Sequence, residues 1–199
     1  MMDNTSFEGT VVIFDEMETI CQEEIQRLLP LVSGQRREEA LKYKHLFGQF
    51  ACLKSYVMLR EILESMGLSH PFLFDRNEHG KPFLKDYPCI HFNLSHCKNG
   101  IAVTVSSEPI GIDIESYRSV SDSLIRYTMN EKERRIIAES DDPIRTFTEY
   151  WTKKEAVSKL RGTGITLKLH DLLNGDEVVE TTVNPEKQYA YSIATNKKG

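Results

Sequence analysis

The sequence predicts an α+β fold, and three observations carry that expectation. TVVIFDE (Thr10 to Glu16) has the β-branched, apolar character of a strand. HFNLS (His91 to Ser95), IAVTV (Ile101 to Val105) and IGIDIE (Ile110 to Glu115) follow one another with turn residues between them. Two helical stretches interrupt the strands, one before this block and one after it. The order strand, helix, strands, then helix, strands fits two similar α+β halves.

Each element has a local reason. Ile20 to Leu29 reads as a short helix closed by Pro30. A long helical pattern runs from Ser33 to Met66, with Leu41, Phe50, Leu53, Val57 and Leu63 apolar and Gly67 as its stop. DRNEHGKP (Asp75 to Pro82) reads as an irregular loop, because Gly and Pro fix the backbone there. Lys98-Asn99-Gly100 marks a tight hairpin, so the strands on either side and IGIDIE are expected to form three consecutive antiparallel strands. A helix is expected over Asn130 to Glu139. The next is better marked: Asp142 suits the N-cap, Pro143 the first helical position and Gly162 the C-terminal stop. Strands near Glu177 to Val183 and Gln188 to Ala194 close the pattern.

Composition narrows the function classes. The chain has 199 residues, 40% hydrophobic and 28% charged, which is ordinary for a globular protein. A net charge of −5 argues against nucleic acid held by bulk attraction. MMDNTSFEGT has neither the basic region nor the apolar run of a signal peptide, and no stretch approaches the ~20 apolar residues of a membrane span. Cys21, Cys52, Cys89 and Cys97 lack CxxC spacing and suit a reduced, cytoplasmic protein.

The chemistry begins in IGIDIE. Alternate strand residues share a face, so Ile110, Ile112 and Ile114 can enter a core while Gly111, Asp113 and Glu115 face the other way. Two carboxylates within roughly 7 Å repel unless a cation or donor lies between them. An exposed strand face would also tolerate them. In the marked helix, Trp151, Glu155 and Lys159 are spaced i, i+4, i+8 and lie on one face. A surface Glu-Lys pair would explain two of the three, but an indole is seldom left on a solvated face. That face is therefore expected to be half-buried, and a buried Glu155 needs Lys159 or a metal as partner. Asp113, Glu115 and Glu155 offer oxygen alone, which suits Mg²⁺. Few protein carboxylates with lysines nearby point to a phosphate-bearing substrate.

GIDIE, followed by WTKKEAVSKL, resembles the signature of the 4'-phosphopantetheinyl transferases. GKP (Gly80 to Pro82), FNLSH (Phe92 to His96) and GTGI (Gly162 to Ile165) fall in the order of that family. The resemblance spans roughly residues 33 to 175, and segments for both lobes place the chain with the two-lobed, surfactin-synthetase-activating class. It implies two α+β lobes related by a pseudo-two-fold, residues 1–107 and 108–199, with the active site in the cleft between them. It also implies transfer of the phosphopantetheine arm of coenzyme A to a serine of an apo acyl or peptidyl carrier protein, releasing 3',5'-adenosine bisphosphate. The partners implied are coenzyme A and the carrier, with no nucleic acid, no membrane and a monomeric enzyme.

By the same resemblance, Asp113, Glu115 and Glu155 would hold Mg²⁺, or Mn²⁺ in its place. Glu155 would be the general base and Lys159 would contact the pyrophosphate, with Lys154 as a second support. Lys81 and Pro82 would line the adenine and phosphate end. Ser95 and His96 would bind phosphate oxygens, and Arg36 would face the 3'-phosphate. Where the family often has further basic residues beyond Arg36, this chain has Glu39 and Ala51. Carrier proteins are usually acidic, so docking would need a local basic or apolar patch. Ile125 to Ile137, with Arg126, Lys132, Arg134, Arg135, Tyr127 and Met129, is the candidate; an ordinary amphipathic helix reads equally well there.

Two rival functions remain at this level. A serine hydrolase would use Ser95, His96 and Asp113, but adjacent strand residues point to opposite faces and there is no GxSxG elbow. A decayed module that binds coenzyme A or a carrier would not need the intact carboxylates and lysines.

Overall fold

Residues 9–162 and 169–197 are described by the computed structural model. Within them the fold is α+β, with small antiparallel sheets packed on helices. The first part runs β1 (Thr10–Phe14), α1 (Gln22–Leu28), α2 (Gly34–Leu41), α3 (Leu46–Ser65), β2 (Phe74–Arg76), β3 (Pro82–Leu84), β4 (His91–Cys97) and β5 (Gly100–Ser106). The second runs β6 (Ile110–Ser116), α4 (Asp122–Thr128), α5 (Glu131–Glu139), α6 (Pro143–Arg161), β7 (Val178–Asn184) and β8 (Tyr189–Thr195). Among the described residues no helix is long and apolar enough to cross a membrane. All four cysteines are free.

The expected single helix over Ser33 to Met66 is two helices. Residues 42–45 separate them, and α2 folds back onto α3. The Tyr43 ring covers Gly48, where a Cβ would stand 2.6 Å from Tyr43 Cδ1. The Gln49 side chain donates to the Tyr43 carbonyl at 2.9 Å, satisfying a group that helix continuation would otherwise bond. Leu41, one of the apolar positions of that pattern, is 55% exposed at this corner, whereas Phe50, Leu53, Val57 and Leu63 are buried. Gly67 ends α3 at φ +80, the left-handed conformation that favours glycine. Asp75 to Pro82 is also more regular than a loop: β2 and β3 pair as a hairpin around residues 77–81.

The β4–β5 hairpin forms with Cys97 opposite Gly100. The third strand does not join it. β5 is already flanked on both edges, by β4 and by β1 (Thr10 opposite Val105), so it has no ladder left for β6. Instead β6 pairs antiparallel with β8, with Asp113 opposite Ser192, in the order β6-β8-β7. β6 nevertheless lies beside β4, and side chains bridge the seam. Asn93 Oδ1 accepts the Ile112 N–H at 3.4 Å, and Ser95 Oγ donates to Asp113 Oδ1 at 2.7 Å.

The alternation of IGIDIE is realised in full. Ile110, Ile112 and Ile114 are completely buried and pack with Cys97, Ala102, Tyr189 and Ile193, a cluster drawn from both three-stranded sheets. The opposite face is covered by α6 rather than by solvent. α6 begins as the sequence predicts, with Asp142 Oδ1 accepting the Arg145 N–H at 3.0 Å and Pro143 in the first turn. It ends at Gly162, φ +68, whose N–H bonds the Ser158 carbonyl at 3.0 Å. Gly111 sets the closeness of the two elements. A Cβ there would lie 2.0 Å from the Ala156 carbonyl oxygen and 2.5 Å from the Leu160 nitrogen, both backbone atoms that cannot swing aside. Gly111→Ala is expected to destabilise the fold by about 2–4 kcal/mol, in the range of severe overpacking. Chemical denaturation read by circular dichroism checks this; a variant as stable as the parent would show that α6 can lift from β6 at little cost.

Candidate active site

The close seat of α6 on β6 brings one turn of the helix over the polar face of the strand. Asp113 is only 4% exposed. Its Oδ1 accepts from Lys159 Nζ at 2.7 Å and from Ser95 Oγ at 2.7 Å, and Lys159 Nζ also donates to Ser95 Oγ at 2.8 Å. Three elements thus meet at one carboxylate oxygen: β6, α6 and β4. The other oxygen, Oδ2, is buried and has no hydrogen-bond partner among the described residues. Burial pushes the Asp113 carboxyl above its ordinary range, while the Lys159 charge and the Ser95 bond hold it back.

Glu155 lies one turn before Lys159 on the same half-buried face as Trp151. Burial, and next the negative charge of Asp113, raise its carboxyl to about 7; Lys159 opposes them and Glu115 adds to them. Glu115 is raised as well, first by burial and then by Asp113, against the pull of Arg118. Glu155 and Glu115 therefore both sense the charge of Asp113, and Glu155 also senses Glu115. They do not stand as a finished cage. Among the described residues no group of three or more His, Cys, Asp or Glu side chains is arranged to hold a metal ion, and the Lys159 ammonium occupies Asp113 Oδ1. The donor chemistry nonetheless fits a hard cation: oxygen atoms only, one of them buried without a partner.

Glu155 and Lys159 line a cavity of about 330 Å³ with Lys81, Pro82, Asn93 and Gly162. Lys81 and Pro82 come from the β2–β3 hairpin, so this cavity lies between the hairpin and α6. Arg36 borders a neighbouring cavity of about 220 Å³, which it shares with Tyr56, Arg76 and again Pro82. Its guanidinium lies 5.5 Å from the Tyr56 ring centroid and 3.1 Å from Glu39 Oε2. The acidic residue noted at position 39 thus pairs with the arginine expected to meet a phosphate.

Lys154 lies apart from this group, and His96 is coupled to it only through charge. Lys154 is fully buried, with Nζ 2.9 Å from Glu133 Oε2 on α5 and 2.6 Å from the Leu169 carbonyl. It faces away from the cavity and braces α6 from behind. His96 follows Ser95 on β4 and turns to the other side, its ring edge-on to Phe47 at 5.8 Å. Burial and the Lys159 charge lower its proton affinity. Ser95 bonds Asp113 and Lys159 and not His96, so the arrangement is not that of a Ser-His hydrolase. Thr163, Gly164 and Ile165 of GTGI lie outside the described residues, and only its Gly162 is seen here.

Sequence reasoning missed Asn93 and Arg76. Asn93 lies within FNLSH and could have been picked out as a buried polar residue inside an apolar strand; Arg76 carries no local signal. In the region from Ile125 to Ile137, Met129 is fully buried and offers no surface, and the span is the end of one helix and most of another. Arg126, Arg134 and Arg135 there border a groove of about 520 Å³, and Tyr127 is 61% exposed.

Comparison with known proteins shows the family of the chain. Residues 109–197 match the family model described as "ACPS: 4'-phosphopantetheinyl transferase superfamily". The chain is 30% identical over 154 residues to 4'-phosphopantetheinyl transferase ffp of Bacillus subtilis, covering 75% of this chain and 69% of that protein. It is 28% identical over 154 residues to 4'-phosphopantetheinyl transferase Sfp of Bacillus subtilis (strain 168), with the same coverage. It is 35% identical over 122 residues to 4'-phosphopantetheinyl transferase HetI of Nostoc sp., covering 57% of this chain and 49% of that protein. The chain belongs to the 4'-phosphopantetheinyl transferase superfamily, in its Sfp-like class, and is a transferase of that type.

Proposed function

We propose that the protein transfers the 4'-phosphopantetheine arm of coenzyme A to a serine hydroxyl of an apo carrier protein and releases 3',5'-adenosine bisphosphate. The observation that carries this reading is the convergence of Glu155, Lys159 and Lys81 on one cavity beside the buried Asp113 carboxylate. The 4'-phosphopantetheinyl transferase names of the relatives support the same reading. In this proposal the chain forms two lobes, 1–107 and 108–199, with the site at their junction. Each three-stranded sheet is drawn from one side of that boundary, which supports the division. The enzyme acts as a cytoplasmic monomer.

The transfer is phosphoryl chemistry driven by position and electrostatics. The carrier hydroxyl attacks the β-phosphorus of coenzyme A, the bond to the bridging oxygen breaks, and that oxygen leaves on the bisphosphate. Glu155 takes the hydroxyl proton, directly or through a water. In the metal-free protein burial raises this carboxyl to about 7, which favours its taking up a proton. Lys159 holds phosphate oxygens and balances the charge that gathers on the leaving group. Ser95 fixes the Asp113 rotamer through its hydroxyl. Lys81 and Pro82 line the adenine and phosphate end, Ser95 and His96 meet phosphate oxygens, and Arg36 faces the 3'-phosphate. Asp113, Glu115 and Glu155 would hold Mg²⁺, or Mn²⁺, which when bound neutralises pyrophosphate charge.

Three outcomes follow from these roles. Glu155→Gln is expected to lower the transfer rate by about 10²–10⁴-fold with the fold intact, measured with fluorescent coenzyme A, Mg²⁺ and an apo carrier. Near-parental turnover would remove Glu155 from the proton transfer. Asp113→Ala should raise the Mg²⁺ concentration needed for half-maximal rate, or abolish the reaction; an unchanged metal titration would take Asp113 out of the ligand set. The third concerns stability without metal. The folded pKa of Glu155, about 7, lies above its ordinary value of 4.5, so between these limits the folded state binds more protons than the unfolded one. This group's contribution to stability is therefore full below 4.5, declines as pH rises toward 7, and stays low above. Thermal melts of the metal-free protein should show Glu155→Gln gaining on the parent as pH rises from 5 to 8, by on the order of 1 kcal/mol after allowance for solvent screening. A pH-independent difference would contradict the raised pKa.

A further inference from the structure

We propose that Lys81 is a positioning residue: its ammonium is a strut that fixes the end of α6 against β6 and the β2–β3 hairpin before any substrate binds. Lys81 Nζ donates to the Lys159 carbonyl at 2.6 Å, to the Leu160 carbonyl at 3.3 Å and to the Ile110 carbonyl at 3.4 Å. The first two belong to the last turn of α6, where carbonyls lack helical partners and the helix dipole presents its negative end. The third opens β6, the strand that carries Asp113. One cation therefore joins the helix of Glu155 and Lys159, the strand of Asp113, and the hairpin that walls the cavity.

The hairpin is built to hold this lysine in place. Asn77 Oδ1 accepts the N–H groups of His79 at 3.0 Å and of Lys81 at 2.8 Å. The Asn77 N–H bonds the Lys81 carbonyl at 3.0 Å, and Gly80 takes φ +83 to close the turn. Arg76 Nη1 reaches across the turn to the Gly80 carbonyl at 2.9 Å. At the far side, a Cβ on Gly162 would stand 3.2 Å from Lys81 Cδ, so the lysine stem passes directly over the helix stop. Among the described residues no carboxylate pairs with Lys81, and its ammonium bonds main-chain carbonyls instead. An ammonium spent this way orders backbone, which a residue serving substrate phosphate alone would have no need to do.

The strut is a property of the ligand-free fold and is independent of the transferase reading; only its effect on turnover rests on that reading. In ligand-free protein, Lys81→Met should lower the Tm by about 4–8 °C, the shift expected for losing charge-assisted bonds at this chain length. It should also speed hydrogen exchange several-fold in peptides covering the last turn of α6 and the start of β6. Lys81→Arg, which keeps the cation and its donors, should recover most of both. If Lys81→Met does not fold, Lys81→Gln serves: faster exchange at the end of α6 supports the strut, and exchange equal to the parent overturns it. With coenzyme A and an apo carrier as probes, the strut predicts a fall in kcat alongside any rise in KM. An unchanged Tm and exchange pattern with a rise in KM alone would reduce Lys81 to a phosphate contact. Absence of transfer by the parent protein would refute the proposed function and leave the Tm and exchange readouts standing.

Discussion

The site depends on how closely α6 lies on β6. Gly111 has no side chain, so the main chain of Ala156 and Leu160 can rest where a Cβ would be, 2.0 and 2.5 Å away. That approach fixes the height of Glu155 and Lys159 above Asp113. A larger residue at 111 would lift the helix and stretch the 2.7 Å contact between Lys159 and Asp113. Backbone packing thus sets the electrostatics, and electrostatics in turn sets the chemistry.

Within that frame, burial does two kinds of work. It raises the carboxyls of Asp113, Glu115 and Glu155 together, because each loses water, and Glu115 and Glu155 also face the charge of Asp113. It also makes Lys159 the resident counter-charge, touching Asp113 and Ser95 at once. The result is a polar cluster at the seam between two sheets that do not share a hydrogen-bonded ladder. The seam between β4 and β6 is bridged by Asn93 and Ser95, and the isoleucine face of β6 seals it from the other side.

Much of this could be read in the sequence wherever the cause is local. The caps of α6, the β4–β5 hairpin and the alternation of IGIDIE depend on neighbours a few residues away, and all are present. The spacing of Trp151, Glu155 and Lys159 located the half-buried face for the same reason. What escaped depends on distant partners. The pairing of β6 with β8 joins Ile110 to Thr195, and no local pattern announces that β5 has already spent both edges. The break between α2 and α3 rests on Tyr43 folding over Gly48, a packing choice that periodicity cannot reveal. Lys154 misled because it adjoins Glu155 in sequence, yet successive helical residues point about 100° apart. It therefore faces α5, where a side chain from another helix awaits it.

That buried pair, Lys154 with Glu133 at 2.9 Å, constrains how the family line could change. Losing either partner alone strands a charge away from water, at a cost of about 3–5 kcal/mol, whereas an apolar pair of similar volume can be neutral or better. The two positions are coupled through that forbidden intermediate. Lineages of this protein should keep both residues or replace both, and a homologue with only one of them should carry a third substitution nearby that supplies the missing charge.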